Sequence, residues 1–141
     1  MAETSVSPYL TVKGAKDAIA FYQDVFEAEV TGTMDAEDGK RLMHASLIIN
    51  GGLVMLSDEF PEFGGHQAPD PARESPVAIG LALSAPSEVD RIHDLCIEKG
   101  GKSSHAPEDM FWGDRFAQVI CPWGHRWMMT AALPGSQNSE S

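Results

Sequence analysis

Hydrophobic and polar residues alternate along residues 5–12, SVSPYLTV, the period-two pattern of a strand with one buried face. The period then lengthens. In residues 15–27, AKDAIAFYQDVFE, the apolar side chains Ala18, Ile19, Tyr22, Val25 and Phe26 recur at helical spacing and predict an amphipathic helix. AEVTGTM returns to strand character, and DAEDGK is a hairpin turn signal. RLMHASLIIN and LVMLS read as two further strands, joined across Asn50-Gly51-Gly52.

The next stretch, DEFPEFGGHQAPDPARESP, is rich in Pro, Gly and charge and too long for a tight connection, so it reads as a linker. Beyond it the order of elements returns. VAIGLALS is a strand, and PSEVDRIHDLCIEKGG a helix with Ser87 as its cap and Gly100-Gly101 as its stop. KSSHA is a short strand, PEDMFWGD a loop, RFAQVIC a strand, PWG a turn and HRWMMT the last strand. The sequence therefore predicts an α+β chain with the βαβββ order twice. The first module spans 1–60, a linker 61–76, the second module 77–132 and a frayed polar tail 133–141.

Strand alternation assigns faces. Val6, Leu10 and Val12 form an apolar set under the first helix, which turns Ser7, Tyr9 and Thr11 the other way. Met43, Ala45, Leu47 and Ile49 belong to the helix side, and His44, Ser46 and Ile48 to the opposite face. In the second half Val77, Ile79, Leu81 and Leu83 are core, leaving Ala78, Gly80 and Ala82 on the other face. Trp127 and Met129 are core, with Arg126, Met128 and Thr130 opposite.

Composition narrows the function classes. The 141 residues are 43% hydrophobic and 22% charged, which suits one globular domain that needs no disulfides. The two cysteines, Cys96 and Cys121, read as reduced thiols of a cytoplasmic chain. The start of the sequence has no signal-peptide pattern, and no apolar run is long enough to span a bilayer, so no membrane partner is expected. A net charge of -11 argues against nucleic acid as a partner.

Three ordered segments carry a family resemblance: SPYLTVKGAKDAIAFYQDVF, LMHASLIINGGLVMLSDEFPE and MFWGDRFAQVICPWGH. With the paired modules, they resemble the vicinal oxygen chelate superfamily, which includes glyoxalase I, extradiol dioxygenases and bleomycin-resistance proteins. The nearest likeness is to its PhnB-type branch. The resemblance implies a curved mixed sheet around a cavity, helices on the outside and a homodimer. In metal-dependent members the ligands project from the first and last strand of each module. Those positions fall on Ser7, Met55, Ala78 and Met128. For LVMLS the same alignment turns Leu53, Met55 and Ser57 inward. A divalent cation wants imidazole or carboxylate ligands, and these four residues supply neither, so no metal and no cofactor is expected.

Of the five histidines, His44 stands out, mid-strand on the cavity face. It is either hydrogen-bonded within a polar pocket or, with Tyr9, a ligand contact or acid/base group. His66, His93 and His105 read as exposed, and His125 as shaping the PWG turn. In WGDR, Asp114 and Arg115 pair with each other or with loop backbone, or Trp112 and Phe111 close over the cavity mouth and stack on a planar ligand. DEFPEF, residues 58–63, either sits at the same mouth or is a solvated acidic loop. Arg126 either meets an anionic ligand or pairs with an acid at the rim.

The function these readings support first is a metal-free binding protein for a drug or metabolite. Its contacts are Ser7, Tyr9, His44, Ile48, Met55, Trp112, Arg126 and Met128. The alternatives are a superfamily enzyme, working through His44 and Tyr9 or an unaligned metal, and a non-catalytic structural dimer.

Overall fold

In the computed structural model, residues 6–135 are described. They form β1 (Tyr9–Val12), α1 (Ala15–Phe26), β2 (Glu29–Asp35), β3 (Leu42–Ile49) and β4 (Gly52–Asp58). After a linker follow β5 (Ala78–Ala82), α2 (Pro86–Glu98), β6 (Lys102–Asp109), β7 (Asp114–Ile120) and β8 (Arg126–Ala132). The chain falls into two compact units, divided between Pro69 and Asp70. Each is a βαβββ module, and the class is α+β. Most of the expected frayed tail lies outside the described residues.

In the first unit the sheet order is β1-β4-β3-β2, with β1 parallel to β4 and the other pairs antiparallel. Helix α1 packs on this sheet through Ala18, Tyr22 and Val25, all fully buried. Ala45, Leu47, Val54 and Leu56 meet it from β3 and β4. The hairpin between β3 and β4 is a two-residue turn. Ile49 pairs with Gly52, and Asn50 and Gly51 take φ of 51° and 81°, the left-handed pair that matches strand twist.

Two expectations of burial fail here. Met43 is exposed because it is the extra residue of a bulge. Met34 and Asp35 are consecutive on β2, but they pair with His44 and Leu42, so Met43 is left over and Leu42 takes the buried place. Val6 is 94% exposed because β1 begins only at Tyr9, and the alternation does not extend back to it.

The second unit repeats the plan as β5-β8-β7-β6, with β5 parallel to β8. Trp127 and Met129 are fully buried, as their alternation predicts, along with Ala117 and Val119. They pack under α2, whose Val89, Ile92 and Cys96 are buried. Val77 is exposed, since it precedes β5. Ser87 is not the helix cap. Ala85 takes the cap position in extended conformation and Pro86 starts the helix, where its missing N–H costs nothing. KSSHA and PED form one strand, β6, rather than a strand and a loop. Pro107 is tolerated because β6 is the sheet edge and Pro removes no ladder donor from a second neighbour.

Candidate functional site

Each sheet has one face covered by its helix and one face free of it. On the helix-free face of the first unit, Ser46, Met55 and Tyr9 lie in one row across β3, β4 and β1. Ile48 and Leu53 form the next row. His44 leans between two hydroxyls. Its Nδ1 lies 2.9 Å from the Tyr9 hydroxyl, and its Nε2 lies 3.0 Å from the Ser46 hydroxyl. The Tyr9 and His44 rings are 5.6 Å apart and tilted by 45°. Tyr9 is 46% exposed, while His44, Ser46, Ile48 and Met55 are half-buried. Ser7 is half-buried and precedes β1. Thr11, expected on the open face, is buried.

The chemistry of that line follows from its groups. A neutral imidazole donates from one nitrogen and accepts at the other. With a hydroxyl at each end, either tautomer closes both bonds. One hydroxyl then points a hydrogen outward and the other a lone pair. The line can therefore meet a ligand that offers one donor and one acceptor, over a floor of Met55 and Ile48.

The helix-free face of the second unit is organised differently. Arg126 is engaged on every side. It donates to Glu74 at 2.8 Å, Gln118 at 2.6 Å, Ser104 at 2.9 Å and the Ser75 carbonyl at 3.1 Å. Its side chain is only 13% exposed. Met128 pairs with Gly80, and a Cβ on Gly80 would stand 3.7 Å from the Met128 methyl. Phe111, Trp112 and Phe116 form a chain of edge-to-face contacts at 5.1 and 6.1 Å, and His105 meets Phe116 at 5.0 Å. Phe111 is 95% exposed and Trp112 42%.

The two modules repeat one detail. Met55 pairs with Tyr9, two residues beyond Ser7, and Met128 pairs with Gly80, two residues beyond Ala78. The four positions that the resemblance aligns with metal ligands thus keep the same spacing in the two units, although Ser7 lies before β1 and Ala78 begins β5. Their donor set is one hydroxyl, two thioethers and a methyl, which does not fit a divalent cation. Among the described residues no group of three or more His, Cys, Asp or Glu is arranged to hold a metal ion.

The sequence matches the family model of the Glyoxalase/Bleomycin resistance protein/Dioxygenase superfamily over residues 5–129. The chain belongs to that superfamily. An uncharacterised protein of Mycobacterium bovis is 38% identical over 129 residues, covering 90% of this chain and 82% of its own. Among solved structures, protein PA1353 from Pseudomonas aeruginosa superposes with a TM-score of 0.74 at 21% identity, covering 92% of this chain and 98% of that one. A PhnB protein from Bacillus cereus gives 0.73 at 17% identity, covering 92% and 100%. The fosfomycin resistance protein FosX from Listeria monocytogenes, in complex with Mn(II) and sulfate, gives 0.70 at 16% identity, covering 95% and 94%. At these identities the superfamily structures share the fold.

Several site residues differ from expectation. Arg115 does not pair with Asp114. It reaches Asp90 on α2 at 2.6 and 3.0 Å and Asp109 on β6 at 2.8 Å, tying the helix to the sheet. His93 is buried, not exposed, and bonds Asp94 and Ser103. His105 is half-buried beside Glu108 at 3.0 Å. DEFPEF is not all solvated, because Asp58 is 5% exposed and structural. Ser46 had only its face to mark it in the sequence. Its role comes from the proximity of His44, two residues back on the same side of one strand.

Among the described residues, no helix is long and apolar enough to cross a membrane.

Proposed function

We propose that this chain binds a small organic molecule on the helix-free face of its first sheet, without a divalent metal at the four family positions. The observation that carries the reading is the Tyr9–His44–Ser46 line, partly exposed above an apolar floor. A few polar groups set in an apolar surface is how small-molecule sites are built. The donor set of Ser7, Met55, Ala78 and Met128 supports the metal-free part. Taken by itself, the second unit offers an exposed aromatic stacking surface at Phe111 and Trp112. Arg126 is a weak candidate for a ligand anion, since Glu74 already neutralises it.

The ligand class this favours is a neutral molecule with a flat apolar body and adjacent donor and acceptor groups. Calorimetric titration against a panel of antibiotics and metabolites tests it. One saturable ligand is expected, with affinity reduced about tenfold in Tyr9→Phe, the loss of roughly one hydrogen bond. Saturable binding to none of the panel would contradict the reading, as would a Tyr9→Phe variant that binds as tightly as the wild type.

A second reading has a specific observation behind it. His44 touches the exposed Tyr9 hydroxyl at 2.9 Å, the reach needed for proton transfer. In an enzyme of this superfamily, His44 would then act as acid or base through Tyr9. Turnover that persists unchanged in His44→Ala would remove that reading. We place the protein in the cytoplasm, in line with its free thiols, and as a homodimer, in line with the family. Sedimentation at micromolar concentration reads the dimer directly.

A further inference from the structure

A second histidine-centred line lies in the second unit, and the candidate faces do not use it. His93, on α2, is 7% exposed, and both its ring nitrogens are engaged. Nε2 lies 2.7 Å from the Ser103 hydroxyl on β6. Nδ1 lies 3.0 Å from the Asp94 carboxylate. The order is carboxylate, imidazole, hydroxyl, with the carboxylate on Nδ1 and the hydroxyl on Nε2. That is the connectivity by which a histidine activates a serine.

The carboxylate makes this line different from the one at His44. Between two hydroxyls, His44 has no group that selects a tautomer. Asp94 accepts only, so it holds the proton on Nδ1 and leaves Nε2 as the acceptor for the Ser103 proton. A histidine in this place also pins α2 to β6. That role alone does not require Ser103 to be accessible, yet Ser103 is exposed and lines a cavity of about 630 Å3.

The same cavity holds the means to stabilise negative charge. Lys102, next to Ser103, and Arg73 both line it. Among the described residues neither has a carboxylate partner, whereas Arg41, Arg91, Arg115 and Arg126 all do. Strand β6 is the sheet edge, and its ladder is irregular between Ser103 and His105. Edge strands present backbone N–H groups with no strand neighbour. Backbone donors and an ammonium are the groups an oxyanion needs.

We propose that Ser103, His93 and Asp94 form a second reactive centre that hydrolyses small carboxylic esters. The Ser103 oxygen attacks the acyl carbon while its proton passes to His93 Nε2. The carbonyl electron pair moves onto oxygen. As it returns, the bond to the alkoxide breaks, and the alkoxide takes the proton from His93. A water then gives its proton to His93 and its oxygen to the acyl carbon. Ser103 departs with the proton from His93, and acid and alcohol have formed from ester and water. Asp94 is a positioning residue. Its side chain is 77% exposed, so its hold on the imidazole is weaker than that of a buried carboxylate.

The test is covalent labelling of the full chain with a fluorophosphonate, read by intact and peptide mass spectrometry. One adduct on Ser103 is expected, and none in Ser103→Ala, an exposed and conservative change. His93→Gln should label about 100-fold more slowly or less, provided its thermal melt shows a folded protein. Asp94→Asn, at a solvated position, keeps the test open if the His93 variant does not fold. It should slow labelling about tenfold, and Asp94→Glu should restore it, which a merely structural residue would not do. Hydrolysis of p-nitrophenyl acetate should fall in the same order. A label on any serine but Ser103, no label at all, or a Ser103 label whose rate is unchanged in Asp94→Asn would overturn the proposal.

Discussion

Asp58 and Ala15 are 43 residues apart in sequence and joined by a hydrogen bond of 3.0 Å, the carboxylate of one accepting the backbone N–H of the other. The same oxygen accepts Gly14 N–H at 2.7 Å, and its partner oxygen accepts Leu42 N–H at 2.8 Å. Helix α1 has no side-chain cap of its own. Asp58, from the end of β4, provides one and also ties down the start of β3.

Asp58→Ala should therefore leave three backbone donors without their acceptor in a buried place. A loss of about 2–4 kcal/mol is expected, the sum of a lost cap and unsatisfied donors. Asp58→Asn keeps one acceptor oxygen and should cost less. Urea denaturation of the two variants measures it. Equal midpoints for wild type and Asp58→Ala would show that water replaces the carboxylate freely.

The link between Arg115 and Asp90 makes stability depend on acid. The hydrogen bond from Arg115 holds the Asp90 carboxyl below its ordinary value of 3.8. A carboxyl depressed in the folded state contributes stability that is complete above about pH 4 and is lost as pH falls further. Asp90 is 43% exposed, so solvent screens much of it. Arg115→Met should cost roughly 0.5–1 kcal/mol at neutral pH. The gap to wild type should close as the pH falls below about 4. A gap that stays constant down to pH 2 would mean the arginine acts by packing alone.

Cys96 makes the opposite prediction at high pH. Burial pushes its thiol up to about 12, with the neighbouring Cys121 adding to the shift. A neutral thiol favoured in the folded state contributes stability that is complete below the ordinary value of 9.0 and drains away as pH climbs toward about 12. Iodoacetamide at pH 8 should leave Cys96 unmodified in the folded protein and modify it after unfolding in urea. Rapid modification of the native protein would show that the α2 end opens readily.

Much of the fold was legible because its periodicities are clean. The α1 stripe of Ala18, Ile19, Tyr22, Val25 and Phe26 and the β3 alternation of Ala45, Leu47 and Ile49 both appear as buried faces. The errors fall where one residue changes the register. The bulge at Met43 exposes a methionine that alternation assigns to the core. Pro107 and the acids around it look like a loop, yet an edge strand accepts them.

The candidate site was only half legible. Alternation placed Tyr9, His44 and Ser46 on one face, but not the hydrogen bonds that join them. Ser103 and His93 were beyond reach of the pattern. They are ten residues apart on different elements, and only the packing of α2 over the edge strand brings them to 2.7 Å. The pattern left Arg126 either a ligand anion or an acid at the rim, without saying which acid. Glu74 and Ser75, which satisfy it, come from the linker, where the sequence carries no period from which to infer a position.

We propose that ligand binding here proceeds without a metal at Ser7, Met55, Ala78 and Met128. Native mass spectrometry of the tag-free protein, after incubation with zinc, nickel, manganese or iron(II) and buffer exchange, tests it most directly. The expected spectrum carries no stoichiometric metal and retains any organic adduct. One tightly held divalent ion per chain would overturn this reading and return the protein to the metal-dependent members of its superfamily.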